Sequence, residues 1–375
     1  MKVLIISHNY IHKIPRSKLH ELAKIGNIDL SVIVPKKWKF KPQGYIVSPE
    51  NNDKSYKLYS LRTIFHNNET KYFYLNLLPY LKKIKPDIIH VEQGAKAFVH
   101  FQTLVLKRIF APKAKVLFFT WANIPYKIKH PFWWFIERFN LKHSDYAICG
   151  NEDATRILRI RGFKKPIKVL PLWGTEIYER ENVSDLKRKL GLNSFVIGFV
   201  GRFVRAKDIL LLLKAAAKIK ENWQMLLVGK GELKEEIIKL SEELNIKERV
   251  IFVDVVPQKE IPKYLNCMDV LVLPSLTTAK WKEQFGHILI EAMACGVPVI
   301  GSTSAEIPNV IGDAGLIFKE GDVDDLYRKL VLIMNDKGFR EELVKKGKER
   351  VLKKYTHKKI AEETYKVYKE LLKQK

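Results

Sequence analysis

Cysteine is scarce in this chain: Cys149, Cys267 and Cys295 are far apart and odd in number. That spacing argues against a disulfide framework and a thiolate metal site, and leaves free thiols buried in a reducing cytoplasm as the expectation. Long apolar runs are missing too. The opening segment, Met1-Lys2-Val3-Leu4-Ile5-Ile6, carries four consecutive apolar residues before Ser7-His8-Asn9. These are too few for a signal-peptide core or a membrane span, and they read as a first β-strand. No low-complexity tract, repeat period or Asp-x-Asp metal motif stands out. What remains is a globular composition, 46% hydrophobic and 29% charged, over 375 residues. That length exceeds one ordinary core and fits two domains of about 150–200 residues.

Acidic residues are sparse in one half. Residues 1–173 hold 31 Lys and Arg against 11 Asp and Glu, a balance of +20; residues 174–375 hold 36 against 30, or +6. An excess spread evenly would speak only of solubility or of growth at high temperature. Concentrated in one half, it points to an anionic partner such as a membrane surface, an acidic polymer or nucleic acid. A purely compositional origin stays open beside it.

The C-terminal half alternates short apolar strands with amphipathic helices. Strands are expected at 195–200, 225–228, 250–253, 270–273, 297–300 and 316–318, with helices at 208–219, 233–244 and 260–267 between them. Continuous apolar strands separated by helices mark a parallel sheet covered on both faces. The N-terminal half follows the same rule, with strands at 3–6, 30–34, 88–91, 115–120 and 146–149, a helix around 17–25, and 168–175 as a last strand running into an interdomain linker. The tail from Lys337 reads as helix to Lys375, broken near Tyr355-Thr356. The expected fold class is α/β: two Rossmann-like, doubly wound domains facing across a cleft. Residues 1–172 form the first, 173–354 the second, and a helix over 355–375 returns to the first.

The most informative stretch runs from Glu283 to Glu291. One glutamate ends a loop, and the other lies eight positions on, in an apolar helix opened by Gly286 and closed by Gly296. The start of a helix collects unpaired N–H groups and partial positive charge, a natural seat for phosphate. Two solvated surface carboxylates are the plain alternative, and a glycosidase acid pair is another. Glu291, however, is surrounded by Ile288, Leu289, Ile290, Ala292 and Met293, where a charge calls for a partner or a ligand. Upstream, Gly201-Arg202 and Lys207 follow a strand at the ligand edge of the sheet and offer fixed positive charge for a diphosphate. Arg205 is a third cation there, and Gly229-Lys230-Gly231 adds a glycine-lined turn at the same edge.

Taken together, Gly201-Arg202 with Lys207, Gly229-Lys230-Gly231, Asp269–Ser275 and Glu283–Glu291 resemble the retaining glycosyltransferases of family four, the group 1 or glycogen synthase-like enzymes of glycosyltransferase B fold. The likeness is dense over about 195–300 and looser in the first half, through Lys85–Val91 and Val169-Leu170-Pro171. It implies that Arg202 and Lys207 bind the donor diphosphate and stabilise it as it leaves, and that Glu283 contacts the transferred sugar. Amides around Gln284, Phe285, Gly286 and His287 would assist, those near Ile288 and Leu289 would reach phosphate, and Glu291 would bind the ribose. Gly201 and Gly229 would line the donor site, with Val255 and Val256 bracketing the base. It implies no cofactor and no metal, the two cations taking the metal's place. The departing donor phosphate would receive the acceptor's proton on the face it leaves.

The acceptor half departs from the pattern. Paired glycines usual after the first strand are replaced by Ser7-His8-Asn9-Tyr10-Ile11-His12, and a histidine usual after 116–120 by Trp121-Ala122-Asn123. Asn9, His12, Trp121 and Asn123 are the acceptor-pocket candidates, with a structural role as the other reading of each. The acceptor itself would be a glycan or a lipid-linked molecule. The segment Pro131–Phe139 mixes aromatic residues with flanking Lys127, Lys129 and Lys142. It reads either as a core helix or as an interfacial helix on an anionic bilayer. No nucleic-acid-binding module is visible, so no nucleic acid is expected. The expected location is cytoplasmic, with peripheral attachment at the inner membrane face as its variant. A sugar-nucleotide epimerase, a non-catalytic sensor of the donor and a basic nucleic-acid binder remain the alternatives.

Overall fold

The computed structural model describes residues 1–40, 44–47, 54–179 and 181–373. The chain divides into two compact units, residues 1–174 with the terminal segment from His357, and residues 175–356.

The first unit is built on a seven-stranded, all-parallel sheet. Its spatial order is Ile167–Val169, Tyr146–Cys149, Lys115–Thr120, Ile88–Val91, Lys2–Ile6, Asp29–Pro35, Lys57–Leu61. Its central strands are buried on both faces, which explains their unbroken apolar runs. The edge strand Lys57–Leu61 has no counterpart in the sequence reading. Its KLYSL run at one border of the sheet buries Leu58 and Leu61 but exposes Lys57 and Ser60, so it lacks a continuous apolar signal. Two small antiparallel pairs, Lys37–Phe40 with Gly44–Val47 and Thr63–Ile64 with Phe73–Tyr74, were likewise not foreseen.

Helix His357–Lys373 belongs to this unit and packs on helix Ser17–Lys24. It buries Ile360, Ala361, Thr364, Val367, Tyr368 and Leu371, the three-and-four spacing of a single helical face. Tyr368 Oη also lies 2.9 Å from His90 Nδ1 in the sheet. The last two positions of the expected tail helix, 374 and 375, lie outside the described residues.

The second unit holds a six-stranded parallel sheet in the order Val250–Val253, Trp223–Val228, Phe195–Val200, Val270–Leu273, Val299–Ser302, Leu316–Phe318. Counted within this unit, the order is 3-2-1-4-5-6, so the winding reverses between Phe195–Val200 and Val270–Leu273. The strand expected at 297–300 begins two residues later. Helix His287–Ala294 ends in a left-handed Gly296 (φ +71°), with Gly296 N donating to Met293 O and Val297 N to Ala292 O. These paired bonds hold Val297 in the helix cap and delay the strand.

Candidate functional site

Open α/β sheets bind ligands beyond the carboxyl ends of their strands where the winding reverses, because the two flanking loops diverge there and leave a crevice. In the second unit that point lies between the loop after Val200 and the loop after Leu273. Gly201, Arg202 and Lys207 stand on the first; Ser275, Trp281 and Glu283 stand on the second.

Three of these side chains are joined. Lys207 Nζ pairs with Glu283 Oε2 and lies 3.5 Å from Ser275 Oγ, while Ser275 Oγ donates to the same Glu283 oxygen at 2.8 Å. Glu283 is buried, so its charge is balanced by an ammonium and a hydroxyl where water is scarce. The Lys207 ammonium also sits 5.1 Å from the ring centroid of Trp281. Ser275 is held from behind: Ser302 Oγ donates to Ser275 O at 2.5 Å. Arg202 differs from Lys207. It is exposed, and among the described residues no side-chain hydrogen bond or ion pair engages its guanidinium.

The Arg202 loop rests on the next turn backbone to backbone. Phe203 N donates to Lys230 O at 2.9 Å, and Gly201 N to Val228 O at 3.0 Å. A Cβ on Gly229 (φ +142°) would stand 1.9 Å from Gly201 O, so glycine is required for this approach. Gly229-Lys230-Gly231 thus braces the loop that carries Arg202.

On the far side of the loop, left-handed Gly286 (φ +83°) turns the chain into helix His287–Ala294. The Leu289 amide already donates to Gly286 O at 2.9 Å. The expected phosphate contact there narrows to the first-turn amides of His287 and Ile288, which have no carbonyl four residues back inside the helix. Phe285 is buried, its ring 4.8 Å from His287 and 5.6 Å from Tyr355, so only its backbone is available. Gln284 is exposed on the same turn.

Glu291 sits on this helix, partly buried, and loss of hydration raises its carboxyl to about 7. Gln258 Nε2 approaches Glu291 Oε1 at 3.5 Å and opposes that rise. Gln258 follows the segment of exposed Val255 and half-buried Val256 after strand Val250–Val253. The loop that follows Val255 and Val256 thus reaches the ribose candidate through the Gln258 amide.

Sequence reasoning gave no role to Ser275, which closes the Asp269–Ser275 segment, nor to Trp281 or Gln258. Ser275 had a usable signal, since it stands two residues beyond a buried strand at the ligand edge; the other two had none. The chain also contains one Asp-x-Asp triplet that the sequence reading passed over, Asp322-Val323-Asp324. It starts a helix: Asp322 accepts from Asp325 N and Asp324 pairs with Lys218.

In the first unit, the acceptor candidates lie beyond the carboxyl ends of two strands separated by Ile88–Val91. Asn9 and His12 follow Lys2–Ile6, while Trp121 and Asn123 follow Lys115–Thr120. Asn9 and His12 are partly buried, and loss of hydration holds His12 below its ordinary range. The Trp121 ring lies over Gly150, where a Cβ would come within 2.0 Å of it, and Asn123 is buried. Beneath them is a network that sequence did not disclose. Tyr10 Oη donates to Glu92 Oε1 at 2.7 Å, and buried Lys18 pairs with the same oxygen at 3.2 Å.

Residues 182–350 match the sequence pattern described as Glycosyl transferases group 1. That stretch belongs to the group 1 glycosyltransferase family. The match contains Arg202, Lys207, Ser275, Glu283 and Glu291, and so both loops of the reversal point. Among curated proteins, the chain is 29% identical over 245 residues to the N-acetyl-alpha-D-glucosaminyl L-malate synthase of Bacillus anthracis, covering 63% of this chain and 62% of that protein. Among solved structures, sucrose-phosphate synthase from Thermosynechococcus elongatus superposes with a TM-score of 0.73 at 22% identity over 99% of both chains. Anabaena Alr3699/HepE in complex with UDP gives 0.69 at 16%, over 99% of this chain and 100% of that one. Both units thus have the Rossmann-like, parallel-sheet architecture of glycosyltransferase B proteins, with the group 1 motif in the second.

Proposed function

We propose that this chain is a retaining glycosyltransferase that moves a sugar from a nucleoside-diphosphate sugar to a hydroxyl of a glycan or lipid-borne acceptor. The second unit is its donor domain and the first its acceptor domain. One observation carries the reading: the Lys207–Ser275–Glu283 trio at the reversal point of the second sheet, with an unengaged Arg202 beside it.

In this reading Arg202 and Lys207 meet the negative charge that grows on the diphosphate as the C1–O bond breaks, the role a metal fills elsewhere. Glu283, held by Ser275, receives hydroxyls of the transferred sugar, and the His287 and Ile288 amides reach the phosphates. Glu291 takes the ribose hydroxyls. The acceptor oxygen bonds to C1 on the face the diphosphate leaves, and the acceptor's proton passes to the departing phosphate oxygen. No protein nucleophile is required. A neighbour of the same fold was solved with UDP and with UDP-glucose, which makes uridine donors the first to test.

The test is donor turnover with product stereochemistry. Purified protein, treated with a chelator, should transfer sugar from a UDP- or GDP-sugar and give a product of unchanged anomeric configuration by NMR. Arg202→Ala should abolish transfer. Inverted product, or equal turnover by the variant, refutes the mechanism. Interconversion of donors with no acceptor present would assign the fold to an epimerase instead.

A further inference from the structure

Two neighbouring helices of the first unit turn aromatic side chains outward. Helix Phe98–Phe110 buries Val99, His100, Thr103 and Leu104. Its opposite face presents Phe98, Phe101, Val105 and Ile109, the last 67% exposed. Helix Pro131–His143 buries Ile136, Glu137, Asn140 and Leu141 and leaves Phe132, Trp134 and Phe135 about half exposed. The exposed rings of Phe132 and Phe135 lie against half-buried rings of the neighbouring elements. Phe98 lies 6.2 Å from Phe132, and Phe101 lies 6.1 Å from Phe135 and 4.9 Å from Phe139. An ordinary surface helix faces its apolar stripe inward; these two also carry one outward, and an apolar patch of that kind marks an interaction site.

Charge selects the partner. From residue 93 to residue 136 there are seven Lys and Arg and no Asp or Glu. Glu137, the one acid on either helix, is buried against Arg161 and Tyr126. Lys127, Lys129, Arg108, Arg138 and Lys142 are exposed around the rings. Aromatic side chains ringed by cations, with no exposed acid among them, match the boundary of an anionic bilayer, where rings enter the acyl edge and ammonium groups meet phosphate. A protein partner would leave this many like charges to be neutralised one by one.

We propose that the outward face of helices Phe98–Phe110 and Pro131–His143 docks the protein reversibly on an anionic lipid surface. This goes beyond the transfer reaction and does not depend on it, although docking there would place the acceptor unit beside lipid-borne acceptors. No helix among the described residues is long and apolar enough to cross a membrane, so the contact is peripheral.

The experiment is flotation of the full chain with vesicles of phosphatidylcholine alone and of an equal mixture with phosphatidylglycerol. Binding is expected only to the mixed vesicles, falling as salt rises. F132S/F135S should lower the partition by about tenfold or more. K127E/K129E should lower it by about fivefold or more for each charge. All four positions are exposed, so thermal midpoint and donor-binding affinity should stay unchanged. Those two readouts separate failure here from failure of the glycosyltransferase reading. Wild-type protein left in the vesicle-free fraction at low salt, or variants that float as well as wild type, would overturn the proposal. So would a dimer in solution that F132S/F135S dissolves, since a second copy would then own the face. Polynucleotide binding lost in the same variant would reassign the face to nucleic acid.

Discussion

In the proposed reading, the raised carboxyl of Glu291 should make donor binding depend on pH. Its carboxyl is raised from 4.5 to about 7 because its place on an apolar helix strips hydration from the charged form. For an acid raised in the folded state, the ionised form costs stability. That cost is absent below the unfolded value near 4.5, grows as pH climbs, and is complete above about 7. At about 1.36 kcal/mol per pH unit its ceiling is about 3 kcal/mol, and the solvent contact that Glu291 retains reduces it. Ribose hydroxyls donate hydrogen bonds, so the proposed contact needs the carboxylate. At pH 6 about a tenth of the protein would hold Glu291 ionised and at pH 8 about nine tenths, so the apparent Kd should tighten by about tenfold between them. The ligand of choice is an intact UDP-sugar, whose diphosphate does not titrate in this range. Calorimetry at pH 7 in two buffers of different ionisation enthalpy should count about half a proton released per donor bound. Glu291→Gln should bind weakly and without pH dependence. A flat wild-type profile from pH 6 to 8 refutes the assignment. A slope that survives in Glu291→Gln would move the titration to another group.

Arg202→Ala should leave unfolding free energy within about 0.5 kcal/mol, because no side-chain partner is lost, while kcat falls by about 10²–10³; denaturant melts and turnover assays read the two effects separately. Lys207→Ala should lower both, costing about 2 kcal/mol by removing the ammonium that balances buried Glu283 and reducing kcat by a similar 10²–10³. Ser275→Ala should cost about 1 kcal/mol, with a smaller fall in kcat than Lys207→Ala, since the lysine still holds Glu283. Gly229→Ala should destabilise by about 2–4 kcal/mol, because its Cβ would meet Gly201 O at 1.9 Å. Equal stability of that variant would contradict the close approach of the two loops.

Much of the second unit was legible because its signals are local. Strands 250–253, 270–273 and 316–318 end where their apolar runs end, and Gly286 and Gly296 bound the helix that carries Glu291, as expected. The edge strand Lys57–Leu61 escaped because exposed Lys57 and Ser60 break its apolar run. The resemblance implies Leu289 among the phosphate contacts, and only the structure discloses that its amide donates to Gly286 O within the turn. The Pro131–Phe139 segment allowed two readings, since a run of Phe and Trp is apolar whichever way it points.

The sequence by itself determined the α/β class, the glycine-opened start of the helix that carries Glu291, the pairing of Arg202 and Lys207 with one loop, and the contrast in charge between the halves. Each is written in spacing or composition within a few tens of residues. Only the tertiary structure decided that Glu283 answers to Lys207, 76 positions away, and to Ser275, that Gln258 reaches Glu291, and that Phe132 and Phe135 face solvent. The physical reason is the parallel crossover. Each strand returns to the sheet after a helix, so residues at the same edge are separated by whole elements, and no local period records which of them meet.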